Sequence, residues 1–222
     1  MSAEGPARPT IRGVVAFDVD GVLLRPLFLY RMARLGGFGT WVRSLWIGLL
    51  FKLGLIPLRR AVERAYWLQR GVEAERLTAL SEEMSLTRGA EEVCSELRNA
   101  GYLLALVSAG VPQEVVEQVA GRLGADVGRG VDLERHDGRL TGRVRGDRHS
   151  VSGKREGLER IIRAWGFGWG ETTVVVDDRG NEGIVEAAWR SIGVNPEYPI
   201  LRRATFVLHT RDLREILEFF PE

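Results

Sequence analysis

Short runs of β-branched and other apolar residues, near 14–19, 103–108, 126–131, 172–177 and 204–208, alternate with longer stretches whose apolar residues recur at helical spacing, near 89–100, 112–123, 154–165, 181–190 and 211–219. That alternation predicts an α/β fold: a Rossmann-like, mostly parallel sheet flanked by helices on both faces. In such sheets ligands gather outside the carboxyl ends of the strands, so the polar residues that close each apolar run carry the chemical interest. Asp18, Ser108 and Asp178 stand at those ends.

The alternation is interrupted once at length. From Arg25 to Thr87 there is no strand pattern, only the helical patterns "PLFLYRMARLG", "TWVRSLWIGLLFKLG", "LRRAVERAYWLQRG" and "EAERLTALSEEM". A crossover needs a dozen residues or so, and this excess predicts an all-helical subdomain at 25–87, inserted into a core made of 1–24 and 88–222 and hanging over the strand ends. A smaller interruption, "VDLERHDGRLTGRV", predicts a hairpin turning at Asp137-Gly138, a dipeptide that tolerates positive φ.

Several function classes are disfavoured by composition. A formal net charge of +1 over 222 residues offers no overall pull toward nucleic acid. The single cysteine, Cys94, has no internal disulfide partner and sits in a helical pattern, which fits a reducing cytoplasm. The start "MSAEGPARPTIRG" lacks the apolar stretch of a signal peptide and reads as a loose lead-in. The most apolar segment, "SLWIGLLFKLGLIPL", is interrupted by Lys52 and stopped by Pro57, short of the roughly 20 residues a membrane span needs. Yet eight of the 18 aromatic residues fall between Phe28 and Trp67. They make the insertion's own core, or else an apolar substrate pocket, a homodimer interface or a membrane-surface contact.

The stretch "VVAFDVDGVLL" puts Asp18 and Asp20 at the end of what reads as a buried strand. Residues two apart in extended chain point the same way, so the two carboxylates face one site and repel unless a cation lies between them. A hard divalent ion with oxygen ligands, Mg²⁺ above all, answers that need. Downstream, "LLALVSAG" ends in Ser108, Ala109 and Gly110, whose small size lets backbone amides approach a phosphoryl oxygen at a helix start. "VSGKREGLERII" places Lys154 at the head of a helix, one of only two lysines in a chain that otherwise uses arginine. "TTVVVDDRGNEG" ends a strand in Asp177 and Asp178 and continues to Asn181 and Glu182, a second acidic and amide cluster suited to metal. His136, His149 and His209 are scattered and are assigned no chemistry.

Taken together, Asp, Ser, Lys and Asp-Asp in this order resemble the four motifs of the haloacid dehalogenase superfamily of phosphohydrolases. The likeness is closest to the phosphoserine phosphatase group, which carries a helical cap between the first and second core strands. "GAEEVCSELRNAGYLLALVSAG", "DGRLTGRV", "VVVDDRGNEG" and "RDLREIL" all share it. The resemblance implies a phosphatase acting on a small phosphate ester, with Asp18 as nucleophile and Asp20 as general acid and base. It implies Ser108, Lys154 and the amides near Ala109 and Gly110 on the phosphoryl oxygens. It further implies Mg²⁺ held by Asp18, the carbonyl of Asp20 and Asp178, with Asn181 and Glu182 completing the shell.

The same resemblance marks departures. Glycine is usual where Asp177 stands, and a second aspartate four residues after the fourth-motif aspartate, where Glu182 stands. Relatives that read the amino group of phosphoserine carry a glutamate at the position of Leu27, so the substrate of this chain is open. A cap arginine that would read a carboxylate is Arg64, with Arg59 and Arg60 as alternatives. A phosphotransferase, and a relative that has lost turnover and only binds, remain alternatives to hydrolysis.

Overall fold

The computed structural model describes residues 11–25, 27–145 and 153–220. Residues 1–10 of the expected lead-in, and His149 in the stretch before Lys154, lie outside them. The centre of the fold is a sheet whose strands are β1 (Gly13–Asp18), β4 (Tyr102–Pro112), β5 (Val127–His136), β6 (Arg139–Arg145), β7 (Thr172–Val176), β8 (Arg190–Val194) and β9 (Phe206–Leu208). Their order across the sheet is β6-β5-β4-β1-β7-β8-β9, and every pairing is parallel except β5 with β6.

Side-chain alternation along β1 builds a core on each face of the sheet. Val15 and Phe17 join Val93, Cys94 and Leu97 of α5 (Ala90–Asn99) and Val115, Val116 and Val119 of α6 (Gln113–Leu123). Val14 and Ala16 join Leu158, Ile161 and Ile162 of α7 (Lys154–Ala164) and Ile184 and Val185 of α8 (Glu182–Val185). The residues of β1 are all buried, which suits a strand with helices on both sides.

Between β1 and β4 the chain makes α1 (Phe28–Ala33), α2 (Phe38–Lys52), α3 (Leu58–Trp67) and α4 (Glu75–Glu82). Two very short strands, β2 (Leu24–Arg25) and β3 (Ser85–Leu86), pair antiparallel where the insertion leaves and rejoins the sheet. Thr87 closes the same stem, its N–H donating to the carbonyl of Leu23 at 2.8 Å and its hydroxyl to that of Val22 at 2.6 Å. The β5–β6 hairpin turns where expected, with Asp137 at φ 49° and Gly138 at φ 73°, both in the left-handed region that such a two-residue turn demands.

Several elements differ from the sequence pattern, the stem strands β2 and β3 among them. The helix expected over 181–190 is the single turn α8, and the chain then enters β8, which the pattern did not suggest. Parallel pairing with both β7 and β9 supplies more than the local helical preference of "EAAWR". The segment Leu213–Phe219 is a 3₁₀ helix rather than an α-helix, with Asp212 accepting from the N–H of Arg214 at 3.2 Å. Finally, β4 runs on to Pro112 instead of ending at Ser108, with a break in its register to β5 between Val107 and Pro112.

Candidate active site

Because β1 lies between β4 and β7, with Asp18 opposite Val107 and Phe17 opposite Val175, Ser108 within β4 and the residues that follow β7 lie at the same end of the sheet as Asp18. Asp18 is 6% exposed. Its Oδ1 accepts from the N–H of Val19 at 2.8 Å; its Oδ2 accepts from Asn181 Nδ2 at 2.6 Å and lies 2.9 Å from Lys154 Nζ. Lys154 leaves the first turn of α7 and also donates to Asn181 Oδ1 at 2.5 Å. A nearly buried ammonium thus faces a nearly buried carboxylate, where low polarity strengthens the attraction.

Asp20 is held differently. The chain turns tightly through Gly21, at φ 90°, and Asp20 then accepts from the first N–H groups of α1, Phe28 at 2.5 Å and Leu29 at 3.3 Å. Its carboxylate does the work of an N-cap, because Leu27 at the cap position has no side chain to offer. Burial pushes the Asp20 carboxyl up to about 7, against the pull of those two N–H groups and with help from the charges of Asp18 and Asp178. A proton is therefore available two residues from a carboxylate that sits against an ammonium.

Asp177 and Asp178 follow β7. Asp178 accepts from the N–H of Gly180 at 2.9 Å and from Asn181 Nδ2 at 2.9 Å, and burial followed by the charge of Asp18 raises it to about 6. The Asp177 carboxylate points at Gly21: a Cβ placed there would meet its Oδ2 at 2.0 Å, so only glycine fits. Asp177 Oδ1 is buried with no hydrogen-bond partner among the described residues, and burial with the charges of Asp18 and Asp178 drives its carboxyl up to about 9. One oxygen from each of Asp18, Asp177 and Asp178 lies within 4.8 Å of the others. Three converging carboxylates, one with an unpartnered oxygen, fit a hard divalent cation.

The cluster makes a prediction independent of turnover. A carboxyl raised in the folded state binds protons that the unfolded chain has released, so its cost is absent at low pH and grows as pH rises from the ordinary aspartate range toward about 9. In chelator, Asp177→Asn should therefore raise Tm by at least about 3 °C at pH 8 and change it little near pH 4. An unchanged Tm at pH 8 would show that Asp177 carries no such cost.

Other sequence-based site residues are placed as follows. Glu182 does not reach the cluster: it pairs with Arg203, which also holds Glu186 at 2.8 Å, so it faces the surface. Asn181 reaches it, but turns its amide nitrogen to Asp18 and Asp178 and its oxygen to Lys154. Ser108 Oγ accepts from the N–H groups of Gly110 at 3.2 Å and Val111 at 3.0 Å. Those amides thus belong to a hydroxyl-held bulge within β4, not to a helix start, since α6 begins only at Gln113. Leu27 lies against Gly21 at the edge of the acidic corner. Arg64 lines a depression on the outer side of α2 and α3 instead of joining the carboxylates. Two α3 side chains unforeseen from sequence reach the site: Leu58 lies against Gly180, and the fully buried Tyr66 donates its hydroxyl to the carbonyl of Gly110 at 2.7 Å. The place of Tyr66 on the buried stripe with Val62 was legible; its partner on β4 was not.

Comparison with known proteins agrees with this layout. Residues 15–180 match the family model for haloacid dehalogenase-like hydrolases. A phosphoserine phosphatase of Archaeoglobus fulgidus is 32% identical over 183 residues, 82% of this chain and 52% of that protein. One from Methanocaldococcus jannaschii is 27% identical over 206 residues, 93% of this chain and 96% of that protein. The chain thus spans about half of the first relative and nearly all of the second. A solved phosphoserine phosphatase with bound substrate superposes with a TM-score of 0.86 at 26% identity, covering 95% of this chain and 99% of that one. A phospho-aspartyl intermediate analogue of phosphoserine phosphatase gives the same TM-score, identity and share of this chain, and is covered over 100% of its own length. With three quarters of its residues matched by that family model and these phosphoserine phosphatases as relatives in sequence and fold, the chain belongs to the haloacid dehalogenase-like hydrolases and is phosphoserine phosphatase-like among them.

Proposed function

We propose that the chain is a metal-assisted phosphomonoesterase working through an aspartyl-phosphate on Asp18. The observation that carries this reading is the unequal treatment of two aspartates two residues apart. Asp18 faces the Lys154 ammonium, while burial keeps the Asp20 carboxyl near 7, where it can both give and take a proton. A carboxylate oxygen of Asp18 attacks phosphorus; the bond to the ester oxygen breaks, and that oxygen takes the proton of Asp20. Water then attacks the phosphorus of the aspartyl-phosphate, Asp20 takes back a proton, and phosphate leaves with Asp18 restored. Lys154 and Ser108 bind the phosphoryl oxygens as charge redistributes. Asp18, Asp177 and Asp178 would hold Mg²⁺, which when bound offsets the repulsion between the nucleophile and an anionic phosphoryl group. The intermediate analogue among the solved neighbours supports the covalent reading. The helical insertion acts as a cap: Tyr66, and Leu29 packed on Gly110, bring α3 and α1 onto the strand that carries Ser108.

Leu27 bears on the substrate. It offers no charge beside the site, and two other acids of the insertion, Glu63 and Glu73, are occupied with Arg59 and Arg139. A desolvated ammonium without a carboxylate partner is strongly disfavoured, so another phosphomonoester should be hydrolysed with higher kcat/KM than L-phosphoserine. Leu27→Glu should shift the ratio toward phosphoserine by about 10-fold or more. Measuring kcat/KM for phosphoserine beside phosphate esters lacking the amino group tests both points. A strong wild-type preference for phosphoserine sinks this reading of position 27.

A further inference from the structure

The least expected surface lies on the insertion. Not one residue of α2 is buried, although the helix is almost wholly apolar. Phe38, Val42, Leu45, Trp46, Leu49 and, just past its end, Leu53 are all exposed, at 78%, 45%, 41%, 62%, 44% and 62%. At 100° per residue these six fall within one arc about 100° wide, so they form a single solvent-facing stripe. Beside it, Trp46, Leu49, Trp67, Arg43 and Arg64 line an apolar depression of about 680 Å³.

Charge distinguishes the possible occupants. The insertion, residues 25–87, contains ten Lys and Arg against five Glu, a formal +5, whereas the whole chain carries +1. The near-neutral total therefore conceals a basic insertion on an acidic core. A second copy docking through the same face would set one basic insertion, with its Arg43 and Arg64, against another, which opposes association. The stretches outside the described residues, "MSAEGPARPT", "GDRHSVS", Pro26 and "PE", contain almost no large apolar side chains to cover the stripe. An anionic bilayer answers both features, with apolar and aromatic side chains entering the interface while guanidinium groups meet lipid phosphates. No helix among the described residues is long and apolar enough to cross a membrane, and α2 at about 22 Å would lie in the plane of the surface.

We propose that the outer face of α2, with Trp67 beside it, docks this protein on anionic lipid surfaces. The test is flotation of the full chain with vesicles of phosphatidylcholine alone, and of phosphatidylcholine carrying about 30 mol% phosphatidylglycerol. Wild-type protein should partition at least about 10-fold more strongly onto the anionic vesicles and lose most of that binding in high salt. Trp46→Glu with Leu49→Glu, both at exposed positions, should abolish flotation while leaving Tm and turnover of a small soluble phosphate ester unchanged. Arg43→Glu should weaken binding to anionic vesicles specifically. Equal binding to both vesicle types, no flotation, or undiminished flotation of the Trp46/Leu49 variant each overturns the proposal. So does a wild-type dimer in sedimentation that the same variant dissociates, which would assign the face to a second copy.

Discussion

Asp18→Asn should lower kcat by at least about 10³-fold, because an amide neither attacks phosphorus nor leaves as a carboxylate in the second step. The substitution keeps volume and burial, and it should leave the fold intact. It loses the partner of the Lys154 ammonium but also removes one of three mutually repelling carboxylates, so the two stability effects oppose each other. The amide can turn its oxygen to Lys154, which limits the damage further. Steady-state rates with Tm measured on the same preparation separate chemistry from unfolding. Acid quenching during turnover of a phosphorus-labelled ester should leave label on the wild-type chain and none on the variant. Should Asp18→Asn keep more than about a tenth of wild-type turnover, the covalent route through this residue is wrong.

Removing divalent metal should have a comparable effect, taking activity below about 1% of its value, with Mg²⁺ restoring it and Ca²⁺ doing so poorly. Ca²⁺ accepts looser and higher coordination than Mg²⁺ and so holds an attacking group less strictly in place. Asp178→Ala should raise the Mg²⁺ concentration for half-maximal rate by about 10-fold or more, and Glu182→Ala should leave it nearly unchanged, since Glu182 is engaged with Arg203. Titrating Mg²⁺ against rate for both variants checks the ranking. The opposite order would mean that Glu182 leaves Arg203 and takes part in binding the ion.

The parallel sheet was legible because its central strands are uninterrupted apolar runs, and because a polar residue ends β1 and β7 sharply. The aspartates that close β1 and β7 were legible for the same reason, but not that Asp20 turns to the N–H groups of α1 or that Asp177 joins Asp18 and Asp178. What escaped was set by distant partners. The residues of β8 follow a helix-favouring stretch, and only β7 and β9 draw them into the sheet. The stem strands β2 and β3 have two residues each, too few for any periodicity. Ser108 looked like the last residue before a helix, but its hydroxyl holds the next amides in a bulge instead. Arg64 and Tyr66 lie two apart on α3 and so face different ways; the pattern marks which side is buried but not that its hydroxyl crosses to Gly110.

The position of β1 in the sheet also decides when this protein can become competent during its own synthesis. Both neighbours of β1 come from far along the chain: Gly13 pairs with Tyr102, and Val14 with Thr172. On a growing chain, the segment bearing Asp18 and Asp20 emerges before either of its neighbours and has no strand to pair with until the entire insertion and β4 have followed. Asp178 and Asn181 arrive later still. Closing such long loops is entropically costly and slow, so β1 is among the last elements to reach its native surroundings although it is made before its partners. Prematurely terminated chains that contain both Asp18 and Asp20 should accordingly be inert, and the apolar stripe of α2 is exposed to any surface nearby well before the acidic corner can assemble.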